Sequence, residues 1–398
     1  MEPDAEPGQT PPADADSPRA PWRMPRPLLA AIIAAVMALQ VMVFGPDLLN
    51  SYGPEGSPLQ RALETHNFRL ARVLLICGAK PQGDDSAPSY NTPLCRVVEA
   101  GDPDSVRFLL DHGADVEARG SYKLSLLQLA AAMSSPEVVE LLLQRGAKVD
   151  ARTGDGHEMV SAPLPAWTWV AQHGAEPAGR RFANRSDYTA LMAACAAGRL
   201  DVAQTLLKFG ADPNAPDGLG DAALHVAVLG ANADLVALLL EHGAKADALG
   251  AKGGAPLHLA ARYSKLDAGR VLLEHGADPN VRGAFGRTPL HWAPTFWTDG
   301  LQAPAFAAML LDHGANPNAR DDGGMTPLHL AVIHRRQDLV RLFTARGGDM
   351  NARDGQGRTP AQLSAMAPAQ LEALLVDDRR AQFGQTYGTG PEALPYGH

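Results

Sequence analysis

Two sets of histidines are the first groups in this 398-residue chain that could do chemistry. His225, His258, His291 and His329 each directly follow a leucine, and His112, His242, His275 and His313 each directly precede a glycine. Zinc binds imidazole nitrogens at about 2 Å and needs several of them converging on one point. Two carboxylate pairs, Asp321-Asp322 and Asp377-Asp378, and three cysteines, Cys77, Cys95 and Cys195, complete the candidates. The chain carries no phosphate-cradling glycine loop, no zinc-protease helix motif and no nucleophile elbow.

The histidines recur because the sequence around them recurs. Ala223-Leu224-His225-Val226-Ala227 opens a unit that closes with Leu238-Leu239-Leu240-Glu241-His242-Gly243-Ala244. Thirty-three residues later Pro256-Leu257-His258-Leu259-Ala260 opens another, which closes with Leu272-Leu273-Glu274-His275-Gly276-Ala277-Asp278-Pro279-Asn280. A fixed period of this length belongs to stacked repeats rather than to one globular core. Thr288-Pro289 shows how a unit begins, with a hydroxyl to cap a helix and a proline suited to its first turn. Small Ala260 and Ala261 permit close helix approach, the Leu-Leu pair needs a neighbour to cover it, and Gly276 ends the second helix. Thr-Pro-Leu-His, paired alanines, Leu-Leu and Gly-Ala-Asp-x-Asn together resemble the ankyrin repeat. That resemblance implies an all-α solenoid of helix-turn-helix units joined by short β-hairpins.

The resemblance also bears on the candidate chemistry. Equivalent histidines in successive ankyrin units stand about one helix diameter apart, on the order of 10 Å, too far to share a metal. Structural hydrogen bonding is therefore expected of them, with no metal, cofactor or small-molecule substrate. Adjacent carboxylates in a hairpin or at a helix end are expected to be solvated, which leaves no catalytic residue. Cys195 replaces the second small residue of an alanine pair and is expected as a buried thiol. Cys77 and Cys95 fall at helix ends that lie near each other in the ankyrin layout, so an oxidising compartment could pair them.

Helix starts are expected at Ser57, Thr92, Ser125, Thr189, Ala222, Ala255, Thr288, Thr326 and Thr359, placing the repeat domain over 57–377. The first unit departs furthest from the pattern, as an end cap would. The step from Ser125 to Thr189 is nearly two periods. Its irregular segment, 150–185, holds Trp167 and Trp169 and reads either as a compressed repeat, the favoured alternative, or as a projecting loop. Pro294 should cut short the helix that starts at Thr288, and Phe296, Trp297 and Gly300 follow it.

Ahead of the repeats, residues 1–27 read as a disordered tail and 46–56 as a linker; residues 378–398 read as a loose tail behind them. Between tail and linker, Leu28–Phe44 holds no charge and as a helix would span about 25 Å, so 28–45 is expected to cross a membrane. Arg19, Arg23 and Arg26 precede it and no Lys or Arg follows until Arg61. The positive-inside rule then places the tail in the cytoplasm and the repeats across the membrane, in the periplasm of a bacterium. A retained signal anchor is favoured over a cleaved signal peptide. A net charge of -9 without a dense basic run argues against nucleic acid.

Ankyrin domains commonly bind proteins through hairpin tips and the exposed ends of the first helices. Mapped onto this chain, the first-helix ends hold Met133, Leu229, Arg262, Tyr263, Phe296, Trp297, Ile333 and His334, and the tips hold Leu219, Phe285 and Met325. The expectation is a membrane-anchored scaffold for a partner protein. Two alternatives are an inhibitor or immunity-type protein that blocks one enzyme, and an enzyme or cofactor site built on 150–185.

Overall fold

The computed structural model describes residues 57–81, 92–119, 124–152, 187–250, 253–294, 302–367, 369–374 and 376. The segments 1–56 and 378–398, with the expected membrane helix 28–45, lie outside the described residues, as do Phe296, Trp297, Trp167 and Trp169. Among the described residues no helix is long and apolar enough to cross a membrane. The chain divides into two compact units, Met1–Lys80 and Pro81–His398.

The first unit holds α1 (Pro58–Glu64) packed on α2 (Phe68–Ile76). Ser57 caps α1 through a bond from the Gln60 N–H, and Asn67 caps α2 through one from Leu70. Leu59, Leu63, Ala71 and Leu74 form its buried face.

In the second unit the first helices of the repeats are α3 (Pro93–Ala100), α5 (Leu126–Met133), α7 (Ala190–Ala196), α9 (Ala223–Leu229) and α11 (Pro256–Arg262). The series continues with α13 (Pro289–Trp292), α15 (Pro327–Ile333) and α17 (Pro360–Ser364). Their partners are α4 (Pro103–Asp111), α6 (Pro136–Gln144), α8 (Leu200–Lys208), α10 (Ala233–Glu241), α12 (Leu266–Glu274), α14 (Ala303–Asp312) and α16 (Gln337–Ala345). Each first helix packs on the next first helix and each second helix on the next second helix. Every expected start, from Ser57 to Thr359, is the N-cap of a helix. α13 stops at Trp292, two residues before Pro294, as the ring of that proline requires.

Second helices end as expected. Gly276 takes φ 85°, its N–H bonds Leu273 O, and the Ala277 N–H bonds Leu272 O. This is the left-handed cap that only a residue without Cβ adopts cheaply. Gly269, inside α12, serves packing instead, because a Cβ there would come within 2.5 Å of the fully buried Phe306 ring of α14. Its helix-propensity cost of about 1 kcal/mol relative to alanine admits a large side chain to the core.

Two expectations need correction. No strand forms among the described residues, apart from one isolated bridge between Arg119 and Ser125. Among the described residues five connections are instead pinned by one pair across the base, such as Asp217 N–H to Asp221 O at 2.8 Å and Gly283 N–H to Arg287 O at 2.8 Å. Each is too short to extend a ladder.

The second correction concerns the compressed repeat. α5 packs directly on α7, and α6 directly on α8, so no repeat is stacked between these two units; residues 153–186 themselves lie outside the described residues. Gln128 Nε2 donates to Tyr188 O, and Asp212 N–H donates to Asp150 Oδ1 at 3.2 Å, just as bonded neighbours do elsewhere in the array.

Candidate partner-binding surface

The histidines hold the frame that presents this surface. At four consecutive first helices the N-cap residue donates its N–H to the imidazole Nδ1 three positions on, at 3.1 Å from Ala222, Ala255, Thr288 and Thr326 to His225, His258, His291 and His329. The opposite nitrogen, Nε2, then donates to a carbonyl of the following hairpin. Its acceptors are Ala248 O at 3.0 Å, Arg287 O at 2.9 Å, Met325 O at 3.1 Å and Arg358 O at 3.2 Å. These bonds fix a neutral imidazole that carries its proton on Nε2. Burial depresses the pKa of His258 to about 4 and of His291 to about 3, and lowers that of His329. Glutamine does the same work in two units: Ser125 N–H donates to Gln128 Oε1 at 2.8 Å, and Thr359 N–H to Gln362 Oε1 at 2.9 Å. The second histidine set caps helix ends. His112, His242, His275 and His313 each bond through Nδ1 to the carbonyl four residues back, at 2.7–2.9 Å.

On this frame the expected binding residues separate. Leu219 is 56% exposed and Phe285 44% exposed, both at hairpin tips. Leu249, 55% exposed in the intervening hairpin, was not expected; its signal was a leucine just before the turn glycines. Phe285 has φ 59°, a conformation that costs a bulky residue roughly 1–2 kcal/mol. Met133 is marginally exposed, and Leu229 and Tyr263 are half-buried at the ends of α9 and α11.

Ile333 and His334 do not lie on an open face. Ile333 belongs to the buried cluster of Val332, Leu363 and Leu371, and His334 is buried beside it in sequence. Met325 is also misplaced by the expectation: it stands at the return of its hairpin, half-buried, and packs against that same cluster. The end of the array needs apolar cover, and these residues supply it.

Arg262 enters a buried arrangement that sequence reasoning missed. Its guanidinium lies 4.9 Å from the centre of the Trp292 ring, and that of Arg287 lies 5.7 Å from it. Trp292 is buried, in the slot that Val226, Leu259 and Leu330 fill in other units. Arg287 Nε meets Asp321 Oδ2 at 3.3 Å, and both side chains are 3% exposed. Asp321, expected in solvent, is therefore half of a buried ion pair, while Asp322 beside it is exposed. Desolvation pushes the Asp321 carboxyl above its ordinary range, an effect the Arg287 charge only partly offsets.

The cysteines form no disulfide among the described residues, so Cys77 and Cys95 are not paired as expected. Cys95 is wholly buried on α3, where desolvation raises its thiol pKa, and Cys77 is half-buried at the end of α2. Cys195 is buried as expected, its pKa pushed up to about 12 by desolvation.

Comparison with known proteins agrees with this architecture. A family described as ankyrin repeats in three copies matches 59–153 and 209–283. One described as ankyrin repeats in many copies matches 183–227 and 310–364, and a single ankyrin repeat matches 285–322. Protein PhlB of Serratia liquefaciens is 33% identical over 183 residues, covering 44% of this chain and 80% of that protein. The B-cell lymphoma 3 protein homolog of Mus musculus and the B-cell lymphoma 3 protein of Homo sapiens are each 29% identical over 181 residues. The match spans 43% of this chain but only 39% of each lymphoma protein. With its histidine-capped first helices, glycine-capped second helices and matched profiles, the chain belongs to the ankyrin-repeat family, whose repeats are scaffolds for binding other proteins.

Proposed function

We propose that this chain is a membrane-anchored scaffold, without catalysis of its own, which engages a partner protein through the hairpins between 217 and 287. Six large apolar side chains are exposed among the described residues: Ile76, Met133, Leu219, Leu249, Phe285 and Val376. Three of them, Leu219, Leu249 and Phe285, fall on consecutive hairpins, and that grouping carries the reading. An aromatic held exposed in a left-handed conformation is costly to stability, and such costs gather at binding sites. Tyr263 and Leu229 border these hairpins at first-helix ends and extend the surface. The anchor rests on sequence: an uncharged Leu28–Phe44 preceded by Arg19, Arg23 and Arg26 puts the N-terminus in the cytoplasm and the repeats across the membrane.

Leu219→Ser with Phe285→Asn tests the surface. Asparagine tolerates the left-handed conformation, so the variant should be at least as stable as the parent, by up to about 1 kcal/mol at position 285. Partner capture by the intact chain, read by cross-linking and mass spectrometry, should lose the species that the parent retains. Undiminished capture by a folded double variant places the partner elsewhere.

A further inference from the structure

The second helices share a charge pattern that α2 breaks. Their second residue is acidic in six of the seven second helices α4 to α16, at Asp104, Glu137, Asp201, Asp234, Asp267 and Asp338, where a negative charge meets the positive end of the helix dipole; α14 has the neutral Pro304 there. α2 has Arg69 there, against the dipole. Their last residue is polar or small, at Asp111, Gln144, Lys208, Glu241, Glu274, Asp312 and Ala345, while α2 ends on Ile76, 79% exposed. Arg69, Arg72 and Ile76 follow the spacing that puts residues on one helix face, and all three are exposed. Neither arginine is in an ion pair among the described residues. From Ser57 to Lys80 the sequence holds the cations Arg61, Arg69, Arg72 and Lys80 and a single carboxylate, Glu64, in a chain whose net charge is -9.

We propose that the outer face of α2 docks on an anionic lipid surface, the arginines over headgroups and Ile76 at the acyl boundary. The inference rests on the anchor reading. Twelve residues separate Phe44 from Ser57, a reach of at most about 40 Å, so an anchored chain holds this helix near the bilayer. Each cation close to such a surface contributes roughly a fivefold gain in association, and an interfacial apolar residue adds to it.

The test uses the full chain with Cys77→Ser and a fluorophore at Ile76→Cys. The other two thiols, Cys95 and Cys195, are buried and remain unlabelled in the fold. The protein is reconstituted into vesicles of phosphatidylcholine, alone or with phosphatidylglycerol, containing a nitroxide-lipid quencher. Strong quenching is expected with phosphatidylglycerol, and several-fold less in its absence. Arg69→Glu with Arg72→Glu should abolish it; glutamate at the second position favours the helix, so the variant should fold. A chain that floats with vesicles and resists alkaline extraction, yet is unquenched with phosphatidylglycerol, overturns docking and leaves the anchor standing. Quenching indifferent to the two glutamates also overturns docking. A chain that neither floats nor is quenched overturns both.

Discussion

Two hairpins, 283–287 and 354–358, place an arginine at the same point and use it in opposite ways. Arg358 turns back on its own hairpin: its Nε donates to Asp354 Oδ2 at 2.8 Å, with the arginine side chain 22% exposed and the carboxylate 1% exposed. Arg287 has no such carboxylate behind it, because Gly283 occupies that place, and it reaches Asp321 of the next hairpin instead. Gly283 is itself required, since a Cβ there would lie 2.7 Å from Gly253 O and 2.9 Å from the His258 ring. Desolvation acts on both aspartates and the outcomes differ. At Asp354 the bonds from Arg358 and from the backbone of Arg358 and Gln356 outweigh it, so the pKa is lowered. At Asp321 they do not, and the pKa is raised. One residue type thus closes a turn in the first case and ties two repeats in the second, which matters because repeats are stabilised chiefly by their neighbours.

The largest expected effect separates these roles. Asp321→Ala leaves Arg287 buried without its carboxylate and should lower stability by about 3–5 kcal/mol in urea unfolding. Arg358→Met should lower it by only about 1–2 kcal/mol, since Asp354 keeps backbone N–H donors. Replacing the inter-repeat pair together, with Arg287→Met and Asp321→Leu, should recover most of the loss, because the desolvation of both charges disappears. Equal losses at Asp321 and Arg358 would dissolve the distinction between the hairpins.

The histidines bonded to the two hairpins sharpen it through pH. His258 donates to Arg287 O and His329 to Arg358 O. Both are depressed by desolvation, His258 to about 4, whereas His329 also feels Asp354 and Asp321, which favour its charged form. A histidine depressed in the fold is protonated first in the unfolded chain. Its stabilising contribution is therefore full above pH about 6.5 and is lost as the pH falls toward the folded value. The loss has a slope approaching about 1.4 kcal/mol per pH unit per histidine. His258→Gln should flatten the urea-derived stability profile between pH 6.5 and 4 more than His329→Gln does. Gln128 and Gln362 show that the amide can fill the cap at little cost.

Much of this frame was legible before any coordinates, because it is local. Each N-cap depends on a residue and its third successor, and each helix end on a glycine, so Thr326, His329 and Gly276 announce their own roles. The Arg287–Asp321 pair was not legible, since it joins residues of different units and depends on what Gly283 lacks. Gly269 is likewise explained only by Phe306 in the next unit. On the candidate surface, Leu219 and Phe285 were legible as apolar residues within turn signals. Ile333, Met325 and His334 were not, because they follow the wording of an open unit but lie beside the last one, where Ile333 and Met325 pack with Leu363 and Leu371 and His334 is buried.

The smallest expected effect concerns a ladder that joins successive repeats ahead of their hairpins and is uniform except at three rungs. Asn280 accepts from Asn316 N–H at 2.7 Å and donates through Nδ2 to Gly314 O at 2.9 Å; Asn318 accepts from Asp349 N–H at 2.8 Å and donates to Gly347 O at 2.8 Å. Asn214 does the same with Lys245 N–H and Gly243 O, both at 2.9 Å. Glu117, Asp150 and Asp247 occupy equivalent rungs and can only accept, from the N–H of Lys148 at 2.9 Å, Asp212 at 3.2 Å and Asp278 at 3.1 Å. An ionised carboxylate has no proton for the glycine carbonyl. Desolvation and the nearby charge of Asp278 raise the Asp247 pKa against the favourable bond from the Asp278 N–H. The folded state therefore holds that proton more tightly than the unfolded chain. Ionisation of Asp247 opposes folding above its folded pKa, and the penalty fades as acid protonates it. Asp247→Asn should supply the missing donor and remove the repulsion, a gain of about half a kcal/mol at neutral pH on this half-exposed edge. The gain should shrink below pH 4, where the carboxyl itself becomes a donor. Urea unfolding of parent and variant at both pH values reads the difference. A variant that is less stable at neutral pH, or a gain that persists undiminished in acid, would mean that Asp247 is not the deficient rung.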